Sequence, residues 1–502
     1  VSQSLVSRRL FLQQAAAIGT LGGAAPLALN LSAMAPAAAA SATDHKALVC
    51  VFLTGGNDHA NTLLPTDSAS WQIYQQVRKP GDDGISLLRD GAPDAAAPVC
   101  TPRWLGGVLP INPARNQGRS FALHPSLTRL QGLFNNQKRL AIVGNVGPMV
   151  EPVDKAGYEA RRARLPEPLF SHNDQAGHWL AMAREGAAQG WGGRMADAFA
   201  ADNGQSLFTA ISTAGSAVWL AGRQVRQYSL HPSGPSKYAF SRDDKGIERV
   251  GSNVLAAEVI KRHAGNTSHA HLLMKDVAAV NRASIEAEAR LAGVLPDVES
   301  APFGPGSLLD VRLPKGTVRN GLAHQLRMVA AMISAAPRLG LKRQVYFVTL
   351  PGFDTHSGQA MRHTELMLQL DHGLAYFDAV LQALGLVNQV TTFTASDFGR
   401  TFTSNGDGTD HGWGGHQFVM GGAVAGGDIH GRIPAYGPKN TANNGFDSSS
   451  ELLYNGVMLP SQSVVQMGAT LGRWFGLSNS QLAEVFPTLG NFATSDLGFM
   501  KA

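Results

Sequence analysis

The stretch Ala47-Leu48-Val49-Cys50-Val51-Phe52-Leu53-Thr54-Gly55-Gly56-Asn57-Asp58 decides how the rest of the chain is read. Seven apolar residues in a row predict a strand covered on both faces, as in a parallel sheet flanked by helices. The Gly-Gly-Asn-Asp that follows is turn chemistry, and it leaves a carboxylate at the strand's carboxyl end. In open α/β sheets that end borders the crevice where ligands bind. No Gly-Lys-Ser/Thr follows, so the turn is not a phosphate-binding P-loop.

Working outward, the same alternation recurs. A loop-rich segment to about residue 120 is broken by Pro80, Pro93, Pro98, Pro102, Pro110 and Pro113. A short helix carrying Leu127, Leu130 and Leu133, with Ser126 as its expected N-cap, leads into strand 140–146. Helix 323–336 precedes strand 344–350, helix 361–384 precedes strand 389–395, and a last helix spans 461–475 before Gly476. The expected fold is α/β: a mostly parallel sheet with helices on both faces. Residues 223–320, with helices at 254–262 and 271–295, read as a helical insertion beside that sheet.

The 502 residues are 44% hydrophobic and 16% charged, enough to bury a large core. The net charge of +5 is spread along the chain, and no basic run or stripe points to nucleic acid. Near the start, Ser7-Arg8-Arg9-Leu10-Phe11-Leu12 is a twin-arginine pattern. A weakly apolar stretch from Ala15 to Ala35 and a small-residue site, Ala40-Ser41-Ala42, follow it. The expectation is a twin-arginine signal over 1–42, removed on export to the periplasm or beyond. That leaves one domain over 43–502, no membrane span, and a charge of 5 − 2 = +3. Cys50 sits in the strand and Cys100 in a Pro-rich loop. An oxidising compartment permits a bridge between them, while a buried strand cysteine is ordinarily a small core residue.

Three further segments carry metal-ligand chemistry. Gly352-Phe353-Asp354-Thr355-His356 and Ser396-Asp397-Phe398-Gly399-Arg400 each follow a strand, and Asp410-His411-Gly412-Trp413-Gly414-Gly415-His416 comes soon after. Carboxylate and imidazole together suit Zn, Mn or Fe better than Ca. Asp58, Asp354, His356, Asp397 and His411 are the expected ligands, with His416 beside them or holding substrate. Arg400 offers a guanidinium fork for a tetrahedral oxyanion, or else a structural partner for Asp397. His363 and His372 are expected on a solvated helix face. In Phe170-Ser171-His172-Asn173-Asp174-Gln175, Ser171 reads equally as a nucleophile or as a helix N-cap, with His172 placed to handle a proton. Arg161, Arg162 and Arg164 read as a solvated face.

The leader, Gly55-Gly56-Asn57-Asp58, Ser171-His172-Asn173, Gly352-Phe353-Asp354-Thr355-His356, Ser396-Asp397-Phe398-Gly399-Arg400-Thr401, Asp410-His411 and the Leu459-Pro460 to Phe475 segment resemble the DUF1501 family. The resemblance spans nearly the whole mature chain in order. It implies an alkaline-phosphatase-like or sulfatase-like fold, with one or two divalent ions (Zn or Mn) for phosphate or sulfate ester cleavage. By position, Asp58 resembles that superfamily's first-strand metal aspartate and Ser171 its nucleophile. Asp354 and His356 resemble one metal's pair, Asp397 the second metal's aspartate, and His411 or His416 the late histidine. Two departures stand out: Phe398 follows Asp397 where the superfamily has histidine, and Asp354 and His356 are spaced i, i+2 rather than i, i+4.

The expected function is an exported, metal-dependent hydrolase of phosphate or sulfate esters. Its substrate is a small-molecule or polymer ester, and its other partner is the twin-arginine export machinery. In that reading Ser171 attacks, Arg400 offsets charge, and His416 or His172 moves the proton. The alternatives are a non-catalytic exported binding or assembly protein that kept the scaffold, or a non-hydrolytic metalloenzyme.

Overall fold

In a computed structural model of the chain, the described residues are 42, 44–79, 84–235, 241–242, 248–249, 254–266, 268 and 271–501. The main sheet is numbered β1 (Lys46–Thr54), β2 (Leu140–Gly147), β3 (Ala210–Ser212), β4 (Tyr228–Ser229), β5 (Arg343–Pro351), β6 (Val390–Ser396), β7 (Gly415–Met420), β8 (Ile429–His430) and β9 (Gln462–Ser463). Its order is β8-β2-β7-β6-β1-β5-β3-β4, with β9 paired to β2. β1 runs parallel to both its neighbours, β5 and β6, and β3 and β4 continue the parallel set. Only β7 runs against its neighbours β6 and β2. The sheet is therefore mixed and mostly parallel, as the apolar run in β1 predicts.

The helices the site depends on are α1 (Ser68–Arg78), α2 (His172–Ala181), α3 (Trp191–Asp197), α4 (Val254–Ala264), α5 (Leu272–Ala292), α6 (Gly321–Leu339), α7 (Gln359–Ala383) and α8 (Val464–Phe475). Strand alternation divides the core between two faces. Ala47, Val49, Val51 and Leu53 of β1 join Leu326, Val329 and Ile333 of α6 and Leu370, Leu374 and Phe377 of α7 in one cluster. The residues between them, Leu48, Cys50 and Phe52, are equally buried on the opposite face. There an aromatic layer links Phe52, Phe347, Phe393, Trp191 and Trp219. With helices on both faces, Ala47–Leu53 of β1 are paired to a strand on each side and buried in both rows.

Helix ends follow local chemistry. Asn320 caps α6 through its side chain, Gly340 ends it in the left-handed region, and Ser463 with Gln466 forms a capping box on α8. Ser126 does not cap the helix Thr128–Asn135: its N–H donates to His124 Nδ1, and Leu127 takes the cap position without a side-chain bond. Cys50 and Cys100 are both free and buried. Within 223–320 the described residues include α4, α5 and the hairpin Asp310–Leu313 with Gly316–Arg319. The twin-arginine pattern and the apolar stretch after it lie outside the described residues. Among the described residues no helix is long and apolar enough to cross a membrane.

Candidate metal centre

Because β6, β1 and β5 are adjacent and parallel, the loops after Ser396, Thr54 and Pro351 leave the sheet at one edge. Their crossing is close. Gly55 has φ +117°, and a Cβ there would overlap the Asp354 amide nitrogen; one on Gly56 would overlap the Phe398 ring. Across this junction the Gly55 N–H donates to Asp397 Oδ2 at 3.2 Å, and the Asn57 N–H to Ser396 Oγ at 2.9 Å. A hairpin of Arg400–Ser404 and Thr409–His411 pairs Arg400 with His411 and returns the chain to the same edge. The N-terminus of α2 adds His172.

Three imidazole Nε2 atoms converge on one carboxylate oxygen. Asp354 Oδ1 lies 3.1 Å from His356 Nε2, 3.5 Å from His172 Nε2 and 3.7 Å from His411 Nε2. The Nε2 atoms of His356 and His411 are 3.0 Å apart. His172, Asp354 and His411 each present a donor atom within 4.8 Å of the others. Donors around a four-coordinate ion with bonds near 2 Å stand about 3.3 Å from one another; the four separations just given lie near that value, with His172, Asp354 and His411 forming the mutually close trio and His356 beside it.

The opposite side of each ring fixes its proton. His172 Nδ1 meets Asp397 Oδ2 at 2.7 Å, His356 Nδ1 meets Asp410 Oδ1 at 3.1 Å, and His411 Nδ1 meets the Phe170 carbonyl at 2.9 Å. Each partner is an acceptor, so each Nδ1 carries the hydrogen and each Nε2 turns a lone pair inward. The His172 Nε2 is buried with no hydrogen-bond partner among the described residues. Phe398 walls the rings, its centroid 4.8 Å from His172 and 4.6 Å from His411.

The electrostatics differ from one group to the next. The hydrogen bond to Asp397 raises the His172 pKa and outweighs its partial burial. Burial lowers that of His411, so its ring stays neutral. Partial burial alone would raise the Asp354 carboxyl, but the Arg400 hydrogen bond and charge hold it below the ordinary range.

The expected site residues do not all meet. Asp354, His356 and His411 come together, and His172, expected to move a proton, joins them as a donor. Asp397 stands one step back, behind His172. Asp58 is turned away: its oxygens accept from Arg78 at 2.5 and 2.9 Å and from Gln359 at 2.5 Å, all fully buried. With the Ala60 N–H also donating to Oδ1 at 3.2 Å, the four lone-pair positions of the carboxylate are all taken and none is left for a metal. Arg400 is also fully buried and committed, with Nη1 on Gly55 O (2.7 Å) and Asp354 Oδ1 (3.0 Å), and Nη2 on Thr409 O (2.6 Å). It braces Asp354 rather than presenting its fork to a substrate. His416 is buried against His59, and its Nδ1 accepts from the Asn145 N–H at 3.0 Å. Ser171 caps α2, its Oγ donating to Asp174 Oδ2 at 2.9 Å. His363 is not solvated: it is buried under the site with Nε2 3.2 Å from Asn57 Oδ1. Arg161, Arg162 and Arg164 are exposed.

Sequence reading passed over Asp410, whose place before His411 was the available signal, and the Phe170 carbonyl, which left none.

Fold and site together define an α/β protein with a histidine–carboxylate cluster at the carboxyl ends of its central parallel strands. The chain belongs to the family described as "Protein of unknown function (DUF1501)", matched over residues 45–486. A solved structure of an alkaline phosphatase PafA variant is similar over 72% of this chain at 12% identity, with a TM-score of 0.20. The chain spans 64% of the length of that protein. No curated protein matches.

Proposed function

We propose that this chain is an exported, metal-dependent hydrolase of phosphate or sulfate esters, its cation held by His172, Asp354, His356 and His411. One observation carries the metal reading: three rings whose Nδ1 atoms are all spent on acceptors aim bare Nε2 atoms at one carboxylate oxygen. Without a cation, the 3.0 Å approach of His356 and His411 would set two lone pairs against each other. When bound, a divalent ion such as Zn or Mn supplies Lewis acidity towards an ester oxygen.

The chain's own residues supply the rest. Arg400 holds Asp354 in place, Asp397 and Asp410 fix two ring orientations, and Phe398 keeps water from one side of the rings. Ser171, next to His172, is the candidate nucleophile. Its hydroxyl already donates to the Asp174 carboxylate, which would accept the proton as oxygen attacks phosphorus or sulfur and the ester oxygen leaves. The same bond favours a second reading, a metal-holding protein without turnover, in which Ser171 only caps α2.

Metal analysis of protein purified after native export, with aryl phosphate and aryl sulfate turnover on the same sample, separates the readings. Bound metal with turnover that Ser171→Ala abolishes supports the hydrolase. Bound metal without turnover supports the second reading. Protein that stays metal-free and inert after Zn or Mn is supplied overturns both. Export itself is proposed from Arg8 and Arg9, and replacing both with lysine should leave the protein in the cytoplasm.

A further inference from the structure

Helix α2 carries His172 in its first turn and His178 six residues on, and His178 lines a different cavity. That cavity, of about 300 Å³, has largely apolar walls that include Pro148, Met182, Val465 and Pro487. Besides Ser463 and Thr488, two ionisable side chains enter it, Arg194 of α3 and His178. Neither is satisfied. Arg194 Nε is buried with no partner, Nη2 reaches only Met182 Sδ at 3.7 Å, and no carboxylate among the described residues pairs with it. Burial and the like charge of Arg223 both push its pKa down, the opposite of what a counter-ion would do. His178 Nε2 is likewise buried without a partner, while the ring bonds to the Glu167 backbone.

A half-buried guanidinium with no counter-ion is costly unless something anionic reaches it. We propose that this cavity binds a small organic monocarboxylate, its anion on Arg194 and its apolar body against Pro148, Val465 and Pro487. The charge count selects the class. One guanidinium forks onto one carboxylate, and no second cation lines the cavity to balance a dianion. The apolar walls select a ligand with a hydrocarbon body over inorganic phosphate or sulfate. His178 Nε2 is available to a hydroxyl or N–H on that body. The site is independent of the metal cluster, which uses the other end of α2.

Calorimetric titration of the metal-free full chain with benzoate tests this, with benzyl alcohol and inorganic phosphate as comparisons. Saturable 1:1 benzoate binding is expected, with both comparison compounds at least tenfold weaker. Arg194→Met should cost at least tenfold, Val465→Trp should block binding by filling the cavity, and His411→Ala should leave it unchanged. Benzyl alcohol binding as tightly as benzoate would overturn the proposal, and that comparison needs no variant to fold. So would an Arg194→Met protein that binds like the parent, absence of saturable binding, or loss of binding in His411→Ala, which would assign the benzoate to the metal cluster.

Discussion

His356 Nε2 and His411 Nε2 face each other at 3.0 Å, and two neutral rings whose Nδ1 hydrogens are bound elsewhere have none to place between them. Their Nδ1 hydrogens are held by Asp410 and the Phe170 carbonyl. In the proposed metal centre a cation would resolve this contact, and removing either ring removes a donor. His356→Ala and His411→Ala should each weaken Zn or Mn binding by at least tenfold in a chelator competition, and the double variant should bind none. Because His356 lies on a loop and His411 at the end of a short hairpin strand, thermal unfolding of the metal-free variants should stay close to that of the metal-free parent. Equal affinity in parent and double variant would place the ion elsewhere.

Asp397 is expected to matter without touching the ion. It orients His172 at 2.7 Å and accepts the Gly55 N–H at 3.2 Å. Partners of this kind are worth about 10–100-fold in metal affinity. Asp397→Asn keeps the shape and an acceptor oxygen but loses the charge, so its affinity should fall within that range. Asp397→Ala should fall further and also loosen the β1 turn. A ligand role would instead make the two substitutions equally severe.

Gly55 tests the backbone junction rather than any ligand. Its φ of +117° and the overlap a Cβ would make with the Asp354 backbone both demand glycine. Since the atoms it would meet are main chain and cannot rotate aside, Gly55→Ala should displace the Asp354 loop. Metal affinity should drop by at least tenfold, and stability by about 1–3 kcal/mol. Urea midpoints and metal titration on one preparation give both values.

How much of this was legible depends on what each residue's role requires. The β1 run, the α6–β5 and α7–β6 steps and the glycine-rich turn were readable because strand periodicity and turn chemistry are local. Asp354, His356 and His411 were readable as donors because they follow strand ends, where parallel topology brings loops together. Asp58 and Arg400 could not be sorted from the sequence. Asp58 stands at a strand end like a ligand, but its partner Arg78 lies at the far end of α1, and only tertiary packing shows that the pair is sealed. His363 was expected on a solvated face because its helix shows one leucine stripe. In fact α7 is covered on a second side by the loop after β1, where Asn57 meets the ring. The place of His172 beside Asp354 and His411 was not readable for a related reason: which nitrogen of a ring faces inward depends on Asp397, 225 residues away.

The Asp58–Arg78 pair should govern acid stability. Burial alone would raise the Asp58 carboxyl, but Arg78 outweighs it and holds the pKa at about 2. A carboxyl depressed from its ordinary ~3.9 contributes stability that is full above about pH 4 and is lost as pH falls through 2. The difference is worth about 2 kcal/mol. Buried His59 and His363 act in an earlier window: burial lowers each to about 4, so the stability they confer drains away between about pH 6.5 and 4. Urea midpoints of the parent should therefore fall in two stages, first between pH 6.5 and 4, then below 4. Asp58→Asn should shrink the second stage, leaving the part carried by other depressed carboxyls such as Asp354 and Asp428. At pH 7 it should also cost about 3–5 kcal/mol, because Arg78 is left charged and buried. Pairing Asp58→Leu with Arg78→Met should recover most of that loss, since no lone charge then remains. If Asp58 instead served the metal, the double variant would regain no metal affinity, and Asp58→Asn alone would bind Zn or Mn at least tenfold more weakly. The sealed geometry leads us to expect little change in the intrinsic affinity of folded Asp58→Asn.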